Sequence, residues 1–152
     1  MSKSNVQYAD FKIERQFQAP ISKVFKMFAD QQTKELWFKG PNDADTEHTM
    51  DFRVGGQEYN RGKFHDGVVH EYRATYYDII PDNRIIYTYE MYLDNKRISV
   101  SVATIEFKEA EGLTKLSLHE SGVFLDGLDK PESRKYGSNL LMKALENAIN
   151  NN

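Results

Sequence analysis

The chain has 152 residues, a usual length for one domain, and its 20 basic and 23 acidic side chains leave a net charge of −3. That balance gives no electrostatic basis for binding nucleic acid or an anionic membrane. The absence of cysteine excludes disulfides and thiolate metal sites and fits a reducing compartment. The sequence shows neither a signal-peptide pattern nor an apolar run of roughly 18 residues. We therefore predict a cytoplasmic protein in which residues 1–152 form a single domain.

The first part of the chain changes from strand to helix periodicity. Apolar and polar residues alternate over residues 11–17, which predicts a half-buried strand. Pro20 suits the first turn of a helix, and the helical spacing of apolar residues after it predicts a helix over residues 21–29. A second short helix is predicted over residues 32–38, ended by Gly40-Pro41.

Six strand-like segments joined by short turns follow. Typical turn sequences separate them, among them Gly55-Gly56, Asp66-Gly67 and Pro81-Asp82-Asn83. Because parallel neighbours would need long crossovers, these short links favour an antiparallel meander. The predicted strands cover residues 48–54, 58–64, 68–80, 84–93, 96–108 and 113–120.

A long helix is predicted from about Pro131 to the C-terminus. Its apolar residues recur at helical spacing and form one stripe: Leu140, Leu141, Ala144, Leu145, Ala148 and Ile149. The element order predicts an α+β fold, with a curved antiparallel sheet of about seven strands wrapped around this helix and two short helices after the first strand. A gap between the sheet and the helix would be a natural ligand site.

Several segments of the chain, by their sequence and their order, resemble the START-like helix-grip (SRPBCC) superfamily. Within it they are most similar to the branch named after the activator of the heat-shock-protein-90 ATPase, which also holds polyketide-cyclase-like proteins. The matching segments are Ala19-Pro20 with Val24-Phe25, Leu36-Trp37-Phe38-Lys39-Gly40-Pro41, Asp51-Phe52-Arg53-Val54-Gly55-Gly56, and residues 78–89, 104–107 and 112–118. The resemblance implies a helix-grip fold and a cavity for lipids or other metabolites, and a minority of the family are enzymes. The sequence departs from the family pattern at Phe38 and Tyr89, where tryptophan is frequent, and at Glu120, where histidine is common.

Most of the candidate site residues are aromatic and polar side chains on the predicted strands, and Trp37 and Tyr136 are added from the predicted helices. Tyrosine is costly to bury without a partner for its hydroxyl, and a buried charge must be paired or meet a ligand. For any one ring a packed core is the alternative, and Arg97 and Glu120 could instead pair with each other or lie at a rim. The predicted polar contacts are Tyr59, His70, Tyr87, Tyr89, Arg97 and Glu120, and the predicted apolar wall is Trp37, Phe52, Met91 and Tyr136.

Histidines at one predicted hairpin are the candidate metal ligands. A two-residue turn would place Lys63 opposite His70, so that His65 and His70 become diagonal neighbours. Metal sites normally need three or four ligands, and the sequence offers no third. We therefore predict no metal and no cofactor.

The leading hypothesis is the binding of a small hydrophobic or amphipathic metabolite in this cavity. One alternative is a cyclase- or hydrolase-like enzyme in which Glu120 works with His70 or a tyrosine in acid–base catalysis. Another is a co-chaperone that contacts the heat-shock-90 chaperone, although the chain lacks the separate N-terminal domain of the full eukaryotic activators. The identity of the ligand and the presence of a homodimer stay open.

Overall fold

The computed structural model describes residues 5–38 and 45–151, which form seven strands and three helices. Gly40-Pro41, the predicted end of the second helix, lies outside the described residues. In chain order the elements are β1 (Val6–Phe17), α1 (Ile21–Ala29), α2 (Gln31–Lys34), β2 (Asp45–Met50), β3 (Gln57–Lys63), β4 (Val69–Ile80), β5 (Arg84–Leu93), β6 (Lys96–Ala110), β7 (Leu113–Leu125) and α3 (Pro131–Asn150).

All seven strands belong to one curved sheet in the order β1-β7-β6-β5-β4-β3-β2. Every pairing is antiparallel, and β1 pairs with β7 after the chain has passed through the meander. The predicted α+β fold is confirmed, including the two short helices after the first strand. The first strand is longer than predicted because it continues to pair with β7 back to Val6.

The β3–β4 hairpin differs from its prediction by one residue in register. Lys63 pairs with Val69 and Gly62 with His70, and the Phe64 N–H donates to the Val68 carbonyl at 3.1 Å. The connection therefore has three residues instead of two. His65 therefore lies in the connection and not on a strand, so its predicted position as a diagonal strand neighbour of His70 is wrong. His70 stacks on the ring of Phe64, with centroids 4.0 Å apart.

The Gly55-Gly56 pair makes the sharp bend between β2 and β3. Gly55 has a φ of 86°, which L side chains rarely adopt. A Cβ on Gly56 would lie 2.1 Å from the carbonyl oxygen of Asp51, so only glycine fits. The Gly55 N–H donates to the Tyr76 carbonyl at 2.8 Å, and this bond fixes the bend against β4.

The long helix α3 lies on the concave side of the sheet and packs chiefly against β1 and α1. Leu145 and Ile149 are buried in the main core, as the apolar stripe predicts. Leu140 is instead 52% exposed, whereas Met142, which is only 3% exposed, occupies the core-facing position. Two residues turn a helix by about 200°, so a side chain two positions before Met142 must face away from the core.

Candidate functional site

A cavity of about 340 Å³ lies between the concave face of the sheet and α3. Its wall is mainly aromatic and aliphatic, including Trp37, Phe38, Tyr72, Tyr87, Met91 and Leu118. Alternation along β4 and β5 turns Tyr72, Tyr87 and Met91 to the concave face, because successive strand residues point to opposite faces. Pockets of a few hundred Å³ with apolar walls and few polar groups are typical of small-molecule sites.

The polar groups of the cavity converge on the carboxylate of Glu120 in β7. The Tyr89 hydroxyl donates to Glu120 Oε1 and in turn accepts a hydrogen bond from Arg134 Nη1 at 3.1 Å. The Ser138 hydroxyl lies 3.4 Å from Glu120 Oε2. Strand alternation supplies Tyr89 and Glu120, and helical spacing of four residues places Arg134 and Ser138 on the same side of α3.

The side chain of Arg134 is largely buried, with 11% of its surface exposed, and several partners fix its position. Its Nη2 donates to the Ser99 hydroxyl at 2.8 Å and to Asp129 Oδ2 at 3.1 Å. The guanidinium also lies 4.8 Å from the ring centroid of Phe124, which is cation–π distance. Arg134 therefore ties the start of α3 to both β6 and the end of β7.

The protonation of this cluster follows from its burial. Burial raises the pKa of Glu120, and the Tyr89 hydrogen bond and the charge of Arg134 offset part of that rise. Burial also raises the pKa of Tyr89, and the neighbouring Glu120 carboxylate adds to that rise. Burial also raises the pKa values of Tyr72 and Tyr87. All three phenols are thus neutral near pH 7.

A second polar cluster joins α2 to β2 and β3 beside the cavity. Lys34 Nζ and the Tyr76 hydroxyl both donate to Glu58 Oε1 at 2.6 Å. His48 Nε2 lies 2.7 Å from Glu58 Oε2, and its Nδ1 lies 2.8 Å from Glu35 Oε2. The Glu58 side chain is fully buried and that of Lys34 is 6% exposed.

Charge in this second cluster is stabilised by pairing. Burial would raise the pKa of Glu58, but the Lys34 ammonium and the hydrogen bonds from His48, Lys34 and Tyr76 lower it to about 2. Burial likewise opposes charge on His48, yet its bonds with Glu58 and Glu35 raise its pKa above the ordinary value. The cluster therefore holds a charged Glu58 in the interior.

The depressed pKa of Glu58 predicts a specific loss of stability in acid. A carboxyl whose pKa falls on folding stabilises the protein above its unfolded pKa, and that stability is lost as pH drops toward the folded value. Between pH 4.5 and pH 2 the contribution of Glu58 should fall by roughly 3 kcal/mol. The measurement is urea unfolding of the wild type and of Glu58→Gln at several pH values.

The difference in stability between the two proteins isolates Glu58 from the other carboxylates. His48, whose pKa is raised, is protonated in both folded and unfolded states over this range. Glu120 and the other carboxyl groups are present in both proteins, so their contributions to stability largely cancel in the difference. A difference that stays constant from pH 5 to pH 2 would contradict the prediction.

Six of the ten predicted site residues line the cavity, and four do not. Those that do are Trp37, His70, Tyr87, Tyr89, Met91 and Glu120. Trp37 is also fixed by its indole N–H, which donates to the Met27 carbonyl at 3.0 Å. His70 lies at the start of β4, next to the β3–β4 connection.

Phe52 and Tyr59 lie outside the cavity for different reasons. Phe52 follows the end of β2 and packs edge-on against Phe25 and Tyr76, at 5.9 and 5.0 Å between centroids, so it belongs to the core. Tyr59 pairs with Arg73 on the opposite face of the sheet from Glu58. The predictions that both line the cavity are wrong.

Arg97 is turned away from the cavity by a bulge. β6 has one residue more than β5 at this point, so Ile98 and Ser99 are buried in succession. The extra residue reverses the alternation before it. Arg97 therefore points to the other face, where Nη1 donates to Glu90 Oε1 at 3.1 Å, and its predicted inward orientation is wrong.

Tyr136 is 67% exposed on α3 and takes no part in the cavity wall. It lies two positions from both Arg134 and Ser138, which face the sheet, and two helical positions turn a side chain about 200°. The prediction that Tyr136 forms part of the wall is therefore wrong.

Arg134 and Ser138 are the site residues that sequence reasoning missed. Continuing the buried stripe of α3 from Leu145 and Met142 toward the N-terminus, in steps of three and four, leads to Ser138 and then Arg134. The signal was present, but a stripe defined by apolar residues stops before it reaches them.

Further features bear on ligands and membranes. Where the chain is described, histidine and carboxylate side chains nowhere gather in a group of three suited to a metal ion. Within residues 5–38 and 45–151, no helix has both the length and the hydropathy for a bilayer crossing.

A sheet that grips a long C-terminal helix over a cavity defines the helix-grip class of α+β proteins. Residues 18–150 match the family model described as activator of Hsp90 ATPase homolog 1-like protein. The chain belongs to that family, which confirms the resemblance found in the sequence. Comparison with curated proteins gave no match.

Solved structures show the same fold over nearly the whole chain. An uncharacterized protein from Rhizobium leguminosarum is 36% identical with a TM-score of 0.95, covering 99% of this chain and 100% of its own. A Rhizobium loti protein is 34% identical with a TM-score of 0.88, covering 95% and 99%. A Chromobacterium violaceum protein, at 23% identity and a TM-score of 0.78 over 92% and 96%, shows likeness of fold alone.

Proposed function

We propose that this protein binds a small hydrophobic or amphipathic molecule in the cavity between the sheet and α3. The observation that carries the proposal is the cavity itself, about 340 Å³ with rings along its wall and one convergent polar cluster. A folding core gains stability from close packing, so a gap of this size next to Leu141 and Met142 is costly unless something fills it. The proposal includes a cytoplasmic location and one domain over residues 1–152.

Gly137 is a wall position that can accept a Cβ without a steric clash. It lies on α3 between Arg134 and Leu141 and lines the cavity. A Cβ added there would meet no heavy atom within 4 Å. Glycine in a helix interior costs roughly 0.5–1 kcal/mol relative to alanine, so leaving this space open has an energetic cost.

The first test of the proposal is therefore Gly137→Phe. The added ring should project into the cavity and weaken binding of the neutral fluorescent probe N-phenyl-1-naphthylamine by about tenfold or more, because it takes up ligand volume. The measurement is a fluorescence titration of the purified protein, together with its melting temperature.

The matched control is Leu140→Phe, which adds a ring on the same helix at an exposed position. Probe binding by this variant should equal that of the wild type. If the wild type takes up no probe, or if both variants bind it equally well, the cavity is not the binding site. Contact with the heat-shock-90 chaperone, which the family description names, would then become the leading hypothesis.

A further inference from the structure

The Glu120 carboxylate has one oxygen whose hydrogen-bonding capacity is mostly unused. Oε1 accepts from Tyr89, but the partner of Oε2 is the Ser138 hydroxyl at 3.4 Å. Hydroxyl donors normally lie about 2.5–3.0 Å from their acceptors, so this contact is weak. Glu120 is only 5% exposed and lines the cavity, where a poorly bonded carboxylate oxygen is costly.

The other charged groups of the wall already have partners. Lys34 is paired with Glu58 at 2.6 Å, and Arg134 with Asp129 at 3.1 Å. Glu71 is paired with Arg73 at 2.7 Å. Glu120, by contrast, has no cation within 4.0 Å among the residues that the structure describes. A ligand is therefore the natural source of the missing donor.

The surroundings of Glu120 select against charged ligands of either sign. An anionic group would meet the carboxylates of Glu120 and Asp129 in a poorly solvated space. A cation would meet the guanidinium of Arg134, which is one hydrogen-bonded residue away from Glu120 through Tyr89. The protein's own cations also already lie over two rings of the wall: Lys34 is 4.5 Å from the centroid of Phe38, and Arg134 is 5.5 Å from that of Tyr89.

We propose that the ligand is a neutral aromatic or alicyclic molecule bearing a hydroxyl group, which it donates to Glu120 Oε2 while its rings contact the wall. This inference rests on the proposed function and specifies the chemical class of its ligand. A hydroxyl donor satisfies the open oxygen without adding charge, and a hydrogen bond to an ionised acceptor is stronger than one between neutral groups.

The test uses four compounds with the same naphthalene core, each competing with N-phenyl-1-naphthylamine near neutral pH. They are 2-naphthol, 2-methoxynaphthalene, 2-naphthoate and 2-naphthylmethylammonium, which present a neutral donor, no donor, an anion and a cation. We expect 2-naphthol to bind about tenfold or more tightly than 2-methoxynaphthalene, the difference made by one charge-assisted hydrogen bond. The anion and the cation should bind more weakly than 2-naphthol.

The variant Glu120→Gln tests whether the preference for 2-naphthol over 2-methoxynaphthalene depends on the Glu120 carboxylate. The amide keeps an acceptor oxygen but removes the charge, so the advantage of 2-naphthol should fall to about fivefold or less and 2-naphthoate should bind better than to the wild type. Leu140→Ser, on the exposed side of α3, is the control and should leave the order of affinities unchanged.

The outcomes separate the inference from the proposed function. If the fluorescent probe binds but the four compounds compete equally, or 2-naphthoate competes best, the inference is overturned while the binding function stands. The same holds if Glu120→Gln leaves the preference for 2-naphthol intact. If neither the probe nor any compound binds, both fail.

Discussion

Replacing Lys34 with methionine is expected to lower the free energy of unfolding by about 3–5 kcal/mol. Methionine preserves much of the side-chain length and its contact with the Phe38 ring, but it removes the ammonium that lies 2.6 Å from Glu58 Oε1. Glu58 is then left as a fully buried carboxylate with only His48 and Tyr76 as partners. Breaking one side of a buried pair costs far more than the pair contributes, because the remaining charge cannot reach water.

The double variant Lys34→Met with Glu58→Gln is the control for this prediction. The amide removes the uncompensated charge and still offers an oxygen to Tyr76, so the double variant should recover at least half of the lost stability. Urea unfolding measures all of these proteins under the same conditions. A loss below about 1 kcal/mol in the single variant would show that water reaches Glu58 when Lys34 is absent.

The fold was largely predictable from the sequence because its elements carry strong local patterns. Alternation and turn residues gave the bounds of β5, residues 84–93, as the structure has them. The start of α3 at Pro131 was equally clear. Errors arose where pairing with a distant partner decides the boundary. β7 continues past Glu120 to Leu125 because β1 and β6 both pair with it there, and no local signal reports that.

The site was harder to predict because single-residue shifts decide which side chains face the cavity. One extra residue in β6 was enough to turn Arg97 to the outer face, while Ser99 stays on the inner face as predicted. The β3–β4 loop is one residue longer than the turn sequence indicates, which moved His70 opposite Gly62. Alternation is a reliable guide only between such irregularities, since every slip of one residue reverses the faces.

Side-chain contacts between separate helices and strands could not be predicted from the sequence. The cluster of Lys34, Glu58 and His48 joins residues from α2, β3 and β2, and none of their local patterns marks them as partners. Their proximity depends on how α2 docks on the sheet. Buried charges of this kind become visible only once the tertiary arrangement is known.

The two leucines that line up along α3 are expected to respond very differently to truncation, and this contrast tests where the core ends and the cavity begins. Leu145 is completely buried, whereas Leu141 is half-buried and lines the cavity. Leu145→Ala should therefore cost about 3–5 kcal/mol, because it opens a new void within packed side chains. Leu141→Ala should cost about 1–2 kcal/mol, since its side chain already borders empty space and loses fewer contacts.

Leu141→Ala should also enlarge the cavity and leave binding of N-phenyl-1-naphthylamine intact. Denaturant unfolding gives both stabilities. Equal losses at the two positions would mean that the helix closes onto the sheet along its whole length and leaves no cavity at Leu141.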